Sequence, residues 1–218
     1  MDQSIWPNAE TTQELLDGVR AGETDAAGKL LERHRESLRR LVMLRLDRRI
    51  QQRMDASDIV QEVMLEANRR LATYLDNPCM PFHLWLRQMA RDRIIDAHRR
   101  HRASHKRSVD REQSLAVAAA PDRSTMELAA QICDQELTPA AAATMEELYR
   151  RFVLAIDQLE ESDRDVILMR HFEHLSNQEI AQALELTEPA ASMRYLRAMR
   201  RLRKVLSDDA LISGDGTP

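Results

Sequence analysis

Four basic residues recur along one face of a helix predicted near the end of the chain. They are spaced three, four and three residues apart: Arg194, Arg197, Arg201 and Lys204. Residues at this spacing share one side of an α-helix. Lysine and arginine side chains in such a row bind phosphates, and an arginine can also bind guanine through two hydrogen bonds. This chemistry is typical of a helix that enters a DNA groove.

An apolar stripe is expected to pack the same helix against a core. Its members are also three or four residues apart: Leu196, Met199, Leu202 and Leu206. One face on a core and another lined with arginine predicts a helix that is held by its own domain while it contacts a polyanion.

The residues that precede this helix predict how it is positioned. Ser176 and Glu179 have the spacing of a capping box, in which each side chain binds a free backbone amide at a helix start. After a turn at Glu185, Thr187 can cap the next helix and Pro189 falls in its first turn, where a missing N–H costs nothing. A short helix, a tight turn and a longer helix form the helix-turn-helix plan.

Charge is distributed unevenly along the chain. The formal net charge is −4, which alone argues against nucleic-acid binding. Arg91–Arg107, however, contains seven Lys/Arg and two Asp, and Arg194–Lys204 contains six Lys/Arg and no acid. Ser108–Glu147, which lies between them, has eight acids and two arginines. Two basic segments separated by an acidic one predict a protein that contacts a polyanion at two places.

The composition predicts an all-α protein. Aromatic residues make up 4% of the 218 residues, and Gly and Pro are scarce, at 5 and 7. The patterns divide the chain into two small helical domains joined by an acidic linker, the second domain containing the helix-turn-helix. The predicted ranges are 11–107 for the first domain, 108–144 for the linker, 145–207 for the second domain and 208–218 for a disordered tail.

Other kinds of site and location are disfavoured. His98, His101 and His105 share helical spacing, but they lie among arginines that oppose a metal cation, so we expect no metal and no cofactor. The chain has no phosphate-binding glycine loop, nucleophile elbow or paired carboxylate motif, so we do not expect an enzyme. It has neither a signal peptide nor a long apolar run, so we expect a cytoplasmic protein without a membrane partner.

The segment LEESDRDVILMRHFEHLSNQEIAQALELTEPAASMRYLRAMRRLRKVL resembles the promoter-recognition domain of extracytoplasmic-function sigma factors. That domain reads the −35 element of promoters. The resemblance assigns the −35 contacts to four residues: Ser192, Arg194, Arg197 and Arg201. Glu185 departs from the family, whose turn is usually built around glycine, and Pro189 with its two following alanines replaces a common Gly-Thr-Val. These departures concern base preference more than the fold.

The first domain resembles the same family independently. DASDIVQEVMLEA is similar to its amphipathic polymerase-docking helix, which implies that Asp58, Gln61 and Glu62 bind core polymerase. FHLWLRQMARDRIIDAHRRHRASHKR resembles the segment that melts and binds the −10 element. Here Trp85 is expected in the core, and the backbone contacts of the unpaired strand are assigned to four arginines: Arg91, Arg93, Arg99 and Arg100.

The resemblance implies a sigma factor that directs core RNA polymerase to specific promoters and helps to open the −10 region. The implied partners are promoter DNA, the clamp helices of the largest polymerase subunit, the flap of the second largest, and an anti-sigma factor. Two other classes stay open at this point. A conventional helix-turn-helix regulator would bind duplex DNA without polymerase, and an interaction protein such as an anti-sigma factor would not need the basic helix.

Overall fold

The structure is a computed structural model that describes residues 4–46, 54–105, 152, 154–156 and 158–213; it places no side chains at 101–105 or 207–213. All regular elements within these ranges are helices, which confirms the predicted all-α class. The chain divides into two compact units, Met1–Ala116 and Val117–Pro218. The predicted linker, 108–144, lies outside the described residues, so its boundaries stay predictions.

Among its described residues, the first unit contains four helices: α1 Ala9–Arg20, α2 Ala26–Arg45, α3 Ala56–Asp76 and α4 Phe82–His105. Local sequence explains their ends. Asn8 and Asp55 cap α1 and α3, each side chain accepting a hydrogen bond from the amide two residues later. Asn77–Pro81 separates α3 from α4, as its two prolines predict.

Helices α2, α3 and α4 pack against one another and form the core of the first unit. Because apolar residues recur at three- and four-residue steps, each helix buries one stripe, and most of its charged side chains remain at the surface. The most deeply buried side chains include Leu30, Leu38, Leu41, Ile59, Leu84 and Leu86. Each such side chain stabilises the fold by about 1.5–3 kcal/mol relative to exposure.

A short segment before α1 completes this core. Trp6 is buried, and its ring centroid lies 6.4 Å from that of His34 and 5.7 Å from that of His83. The Ser37 hydroxyl donates a hydrogen bond of 2.5 Å to the Ile5 carbonyl, which ties the segment to α2. Ile5 and Trp6 lie before residue 11, where the sequence predicts that the first domain begins, and they nevertheless contact its helices.

From residue 158 to residue 213, the second unit contains the helices α5 Glu161–His171, α6 Asn177–Ala183 and α7 Glu188–Ser213. Helix α7 packs on both α5 and α6. The core also receives side chains from helical residues before α5, including Phe152 and Ala155. The sequence predicts that the last helix ends near Leu206 and that residues 208–218 form a disordered tail. The predicted end of the helix is wrong, because α7 continues to Ser213 and therefore includes residues 208–213.

None of the helices among these residues is long and apolar enough to cross a membrane.

Acidification should destabilise the first unit through His34. Burial lowers the pKa of this side chain from 6.5 to about 4, while its Nδ1–H donates to the Leu30 carbonyl at 2.9 Å. Between these pH values the unfolded chain binds a proton that the folded chain excludes. The free energy of unfolding should therefore fall as the pH decreases through this window, by about 2 kcal/mol near pH 5. Urea titrations at a series of pH values measure the loss.

The His34→Leu variant provides the control, because leucine fills the site but cannot ionise. Its first unit should lose much less stability over the same range. His171 in the second unit also has a pKa lowered by burial to about 4, so that unit should keep its own acid sensitivity in the variant. Equal losses in wild type and His34→Leu would assign the effect in the first unit to other groups.

Candidate nucleic-acid interface

The helix-turn-helix of the second unit starts with the predicted capping box. The Ser176 hydroxyl accepts from the Glu179 amide at 3.2 Å, and the Glu179 carboxylate accepts from the Ser176 amide at 2.8 Å. Two of the backbone donors at the start of α6 are therefore satisfied by side chains, which helps to explain why a seven-residue helix begins here.

The turn between α6 and α7 closes with two backbone hydrogen bonds. The Leu186 amide donates to the Ala181 carbonyl at 2.8 Å, and the Glu185 amide donates to the Gln182 carbonyl at 3.2 Å. This is the Schellman pattern, and it places Glu185 in the left-handed region, with φ of 55°. Glu185 stands where the family usually has glycine, so the turn keeps its shape at a cost in backbone strain.

Asn177 joins the two helices of the motif. Its side-chain amide donates to the Glu188 carbonyl at 3.1 Å, and its carbonyl oxygen accepts from the Ser192 hydroxyl at 3.2 Å. Ser192, predicted to contact DNA, is thus half-buried and bonded within the domain. The sequence offered no signal for this bridge, since an asparagine one residue after a cap has many uses.

The buried face of α7 differs from the predicted apolar stripe. Ala191, Ala198 and Leu202 are fully buried, whereas Leu196 is 46% exposed. The predicted stripe is therefore confirmed at Leu202, which is buried, holds in part at Met199 and Leu206, which are partly buried, and is wrong at Leu196. Small alanines let α7 approach its neighbours closely, and close packing outweighs the hydrophobicity of a larger side chain.

Two side-chain pairs fix α7 against α5. The Tyr195 hydroxyl and His171 Nε2 share a hydrogen bond of 2.7 Å. Arg201, predicted to contact DNA, instead forms an ion pair with Asp163, whose side chain is 6% exposed, and lies 3.5 Å from the Glu160 carboxylate. The Arg201 side chain is still 55% exposed, so it can contact a phosphate while it remains paired with the Asp163 carboxylate.

Arg194 and Arg197 lie beside this ion pair. With Arg201 they line one wall of a groove of about 200 Å³, and Glu160, Ser162 and Asp163 line the other. Arg197 is exposed and donates through Nε to the Met193 carbonyl at 3.3 Å. The structure therefore brings three of the four predicted −35 residues together on one side of α7.

The predicted −10 arginines lie along α4 of the first unit. Arg91, Arg99 and Arg100 are exposed, and Arg99 is 3.9 Å from the Asp96 carboxylate. Arg93 is partly buried and lies 4.0 Å from Glu62 and 3.9 Å from Glu66. Arg93, Arg99 and Arg100 line a groove of about 430 Å³ between α3 and α4.

The predicted polymerase-docking residues lie on the outer side of α3. Asp58 and Gln61 are exposed and Glu62 is partly exposed, while Ile59, Val60, Val63 and Met64 are buried on the opposite side, as predicted. Glu62 shares the ion-pair cluster of Arg93, so one docking residue lies beside one −10 residue. Helical spacing cannot predict this proximity, because the two residues are on different helices.

Two other sequence expectations concern α4. Trp85 is half-buried, with its ring centroid 4.7 Å from that of Tyr74 and 5.5 Å from that of Phe82. It therefore packs in an aromatic cluster of the first unit. Nowhere in the described part of the chain do three or more His, Cys, Asp or Glu gather to hold a metal ion. The side chains of His101 and His105 lie outside that part.

Replacing Glu185 with glycine should stabilise the second unit. A residue with a Cβ in the left-handed conformation costs about 1–2 kcal/mol, and the glycine variant avoids this cost. Glycine also makes the unfolded chain more flexible, which offsets about 0.5–1 kcal/mol of the gain in stability. We expect a net increase of about 0.5–1 kcal/mol in the free energy of unfolding, measured by urea titration. Glu185→Ala is the matched control, because it removes the carboxylate and keeps the Cβ. An equal gain in both variants would attribute the effect to charge.

Removing Arg201 should destabilise the second unit, since it leaves the buried Asp163 carboxylate without its partner. Arg201→Ala should lower the free energy of unfolding relative to wild type, and adding Asp163→Asn should recover part of the loss because the amide is neutral. Arg197→Ala, an exposed arginine of the same helix, should change stability by less than about 0.5 kcal/mol. If Arg201→Ala and Arg197→Ala were equally stable, the ion pair would have no role in holding α7.

Both units match models of one protein family. The model described as Sigma-70 region 2 matches residues 30–104, which span α2 to α4. The model described as Sigma-70, region 4, matches residues 149–202, which include the helix-turn-helix. The two matches together span more than half of the chain and occur in the order predicted from the sequence.

Similar proteins carry the same description. The chain is 25% identical to the ECF RNA polymerase sigma factor BldN of Streptomyces coelicolor over 90% of its own length and 66% of that protein. It is 25% identical to the ECF RNA polymerase sigma factor SigD of Mycobacterium tuberculosis, over 97% of its length and 91% of SigD. It is 31% identical to a probable RNA polymerase sigma factor, RfaY, of Xanthomonas campestris, over 69% of its length and 34% of RfaY.

The fold agrees with a solved structure, that of CnrH in complex with the cytosolic domain of CnrY. The TM-score is 0.52 at 20% identity, covering 94% of this chain and 99% of the other. Two family matches, the named relatives and the shared fold all lead to one assignment. The chain belongs to the sigma-70 family of RNA polymerase sigma factors, in its extracytoplasmic-function class.

Proposed function

We propose that this protein binds core RNA polymerase, directs it to promoters with a two-part sequence, and helps to open the −10 region. The observation that carries the proposal is that one chain combines an outward carboxylate stripe on α3 with a helix-turn-helix whose last helix has an outward basic face. A sigma factor is not itself an enzyme; RNA synthesis belongs to the polymerase, and we therefore place the protein in the cytoplasm with it.

The proposed polymerase contact is supported by the difference between the two faces of α3, one apolar and buried and the other polar and exposed. The apolar side of α3 is buried in the core of the first unit, and Asp58, Gln61 and Glu62 are not part of that core. Polar side chains that project from a rigid, well-packed helix lose little entropy on binding, which favours a specific contact. We assign this face to the clamp helices of the largest polymerase subunit, and the second unit to the flap of the second largest.

The two DNA contacts are supported by separate basic surfaces. On α7, Arg194 and Arg197 project near the start of a capped helix, in the position from which a helix-turn-helix reads base edges and phosphates. On α4, Arg91, Arg99 and Arg100 offer exposed charge to the backbone of an unpaired strand. Arg93 belongs to the same surface, but it is ion-paired with Glu62 and Glu66 in the free protein.

An anti-sigma factor is a further partner that we propose. CnrH, whose fold this chain shares, was solved with the cytosolic domain of CnrY, and such a regulator of the present protein would have to cover the surfaces that bind polymerase or DNA.

Transcription from a promoter library tests the proposed function. Core polymerase is supplied with and without the purified protein, and RNA start sites are sequenced. Starts that share a two-part sequence and occur only in the presence of the protein would support the proposal. If no such starts occurred, and the protein alone protected a palindromic duplex, it would instead be a conventional regulator that acts without polymerase.

Alanine at Asp58, Gln61 and Glu62 together should abolish binding to core polymerase while the unfolding transition of the first unit stays close to wild type. The three side chains contribute to the proposed interface but not to the core, and surface changes usually alter stability by less than about 0.5 kcal/mol. Binding is measured by fluorescence anisotropy with labelled protein. The control, Glu32→Ala, removes an exposed carboxylate from α2 and should bind normally. A folded triple variant that bound core polymerase normally would refute the docking assignment.

A further inference from the structure

Two large apolar side chains are exposed on the outer face of α7. Met193 is 49% exposed and Leu196 is 46% exposed. Neither supports the fold, because the core side of the helix is formed by Ala191, Ala198 and Leu202. Both lie in the first half of α7, close to the end of the helix that a helix-turn-helix directs at base pairs.

Several polar side chains near them are already engaged within the domain. The Ser192 hydroxyl is bonded to Asn177, and the Arg201 guanidinium is paired with Asp163 and Glu160. Breaking either contact to bind a base would leave a buried or half-buried partner unsatisfied, at a cost that offsets the new contact. Hydrogen bonds from these two residues therefore contribute less to base recognition than the sequence predicts.

The charged residues around Met193 and Leu196 indicate which kind of partner covers these two side chains. Leu196 and Arg197 follow Met193 by three and four residues, Arg200 follows them by four and three, and Lys204 follows Arg200 by four, so all five share the outer face. A protein surface that covered this face would have to match three cations. A DNA groove supplies phosphates for the cations and apolar groups at the base edges for the pair.

Only one base presents a methyl group in the major groove. Thymine carries it at C5, and apolar side chains distinguish thymine by contact with that group. We propose that Met193 and Leu196 read thymine methyl groups within the duplex promoter element bound by α7. The inference rests on the proposed function and deepens it, because it names the chemical feature that sets part of the base preference.

The test uses deoxyuridine, which differs from thymidine only by the missing methyl group. The full-length protein is combined with core polymerase, and the sequence that it prefers is selected from a randomised duplex library. Each thymine of the element bound by α7 is then replaced by deoxyuridine, one at a time. At one or more positions the wild type should lose about fourfold in affinity, the factor that corresponds to one methyl-sized group removed from water.

The variants Met193→Ala and Leu196→Ala should each lose sensitivity to deoxyuridine at a particular position, while Met193→Leu should keep it because leucine remains apolar. Leu154→Ala is the matched control, since Leu154 is another exposed leucine of the second unit, 54% exposed, and is not on α7. Both tested side chains are exposed, so neither alanine variant should lose stability, which a urea titration checks.

The outcomes separate this inference from the proposed function. If the library yields no preferred sequence beyond that of core polymerase alone, the proposed function fails. If a sequence is selected but no thymine is sensitive to deoxyuridine, or the alanine variants keep the same sensitivity, the methyl reading is overturned and the proposed function stands. In that case Met193 and Leu196 would instead contact a protein partner.

Discussion

The geometry of the second unit depends on how closely α7 lies against α5. Fully buried alanines at 191 and 198 permit the approach, and the ion pair between Arg201 and Asp163 fixes the rotation of the helix about its axis. Because a helix has only one core-facing side, this rotation decides which residues face outward. Arg197, Met193 and Leu196 project because Ala191, Ala198 and Leu202 are buried. The capping box and the Schellman turn then set where the helix begins. The choice of residues that α7 offers to the proposed DNA contact is therefore a consequence of small-residue packing.

Local electrostatics resolve the apparent conflict between a net charge of −4 and a DNA-binding role. In the first unit, the carboxylates of α3 pair with neighbouring arginines at close range: Glu66 with Arg70 at 2.6 Å, and Glu62 with Arg93 at 4.0 Å. The Glu62–Arg93 pair is long and partly exposed, and surface pairs contribute little to stability, about 0–1 kcal/mol each, so it can be exchanged at low cost for contacts with a partner. On such a surface the charged side chains are held in position but contribute little to the stability of the fold.

Sequence reasoning succeeded where the cause is local and failed where it is tertiary. Capping at Ser176, the break at Asn77–Pro81 and the all-α class follow from local sequence and composition, and the structure confirms them. The buried face of α7 was misjudged because alanine carries a weak hydrophobic signal, although its size is what allows close packing. The internal partners of Ser192, Arg93 and Arg201 lie on other helices, and no spacing along a single helix reveals them. The family resemblance assigns these residues to contacts with DNA, but it does not show that the fold itself employs them.

The position of Trp6 in the core of the first unit has an optical consequence. The chain contains two tryptophans, Trp6 and Trp85, and both belong to that unit. Excitation at the red edge of the tryptophan band therefore reports on one half of the molecule only, and melting of the helix-turn-helix is silent in that signal. Circular dichroism follows helices in both units. The two spectroscopic transitions should coincide only if the units unfold as one cooperative block, so the wild-type chain carries its own internal probe of domain independence.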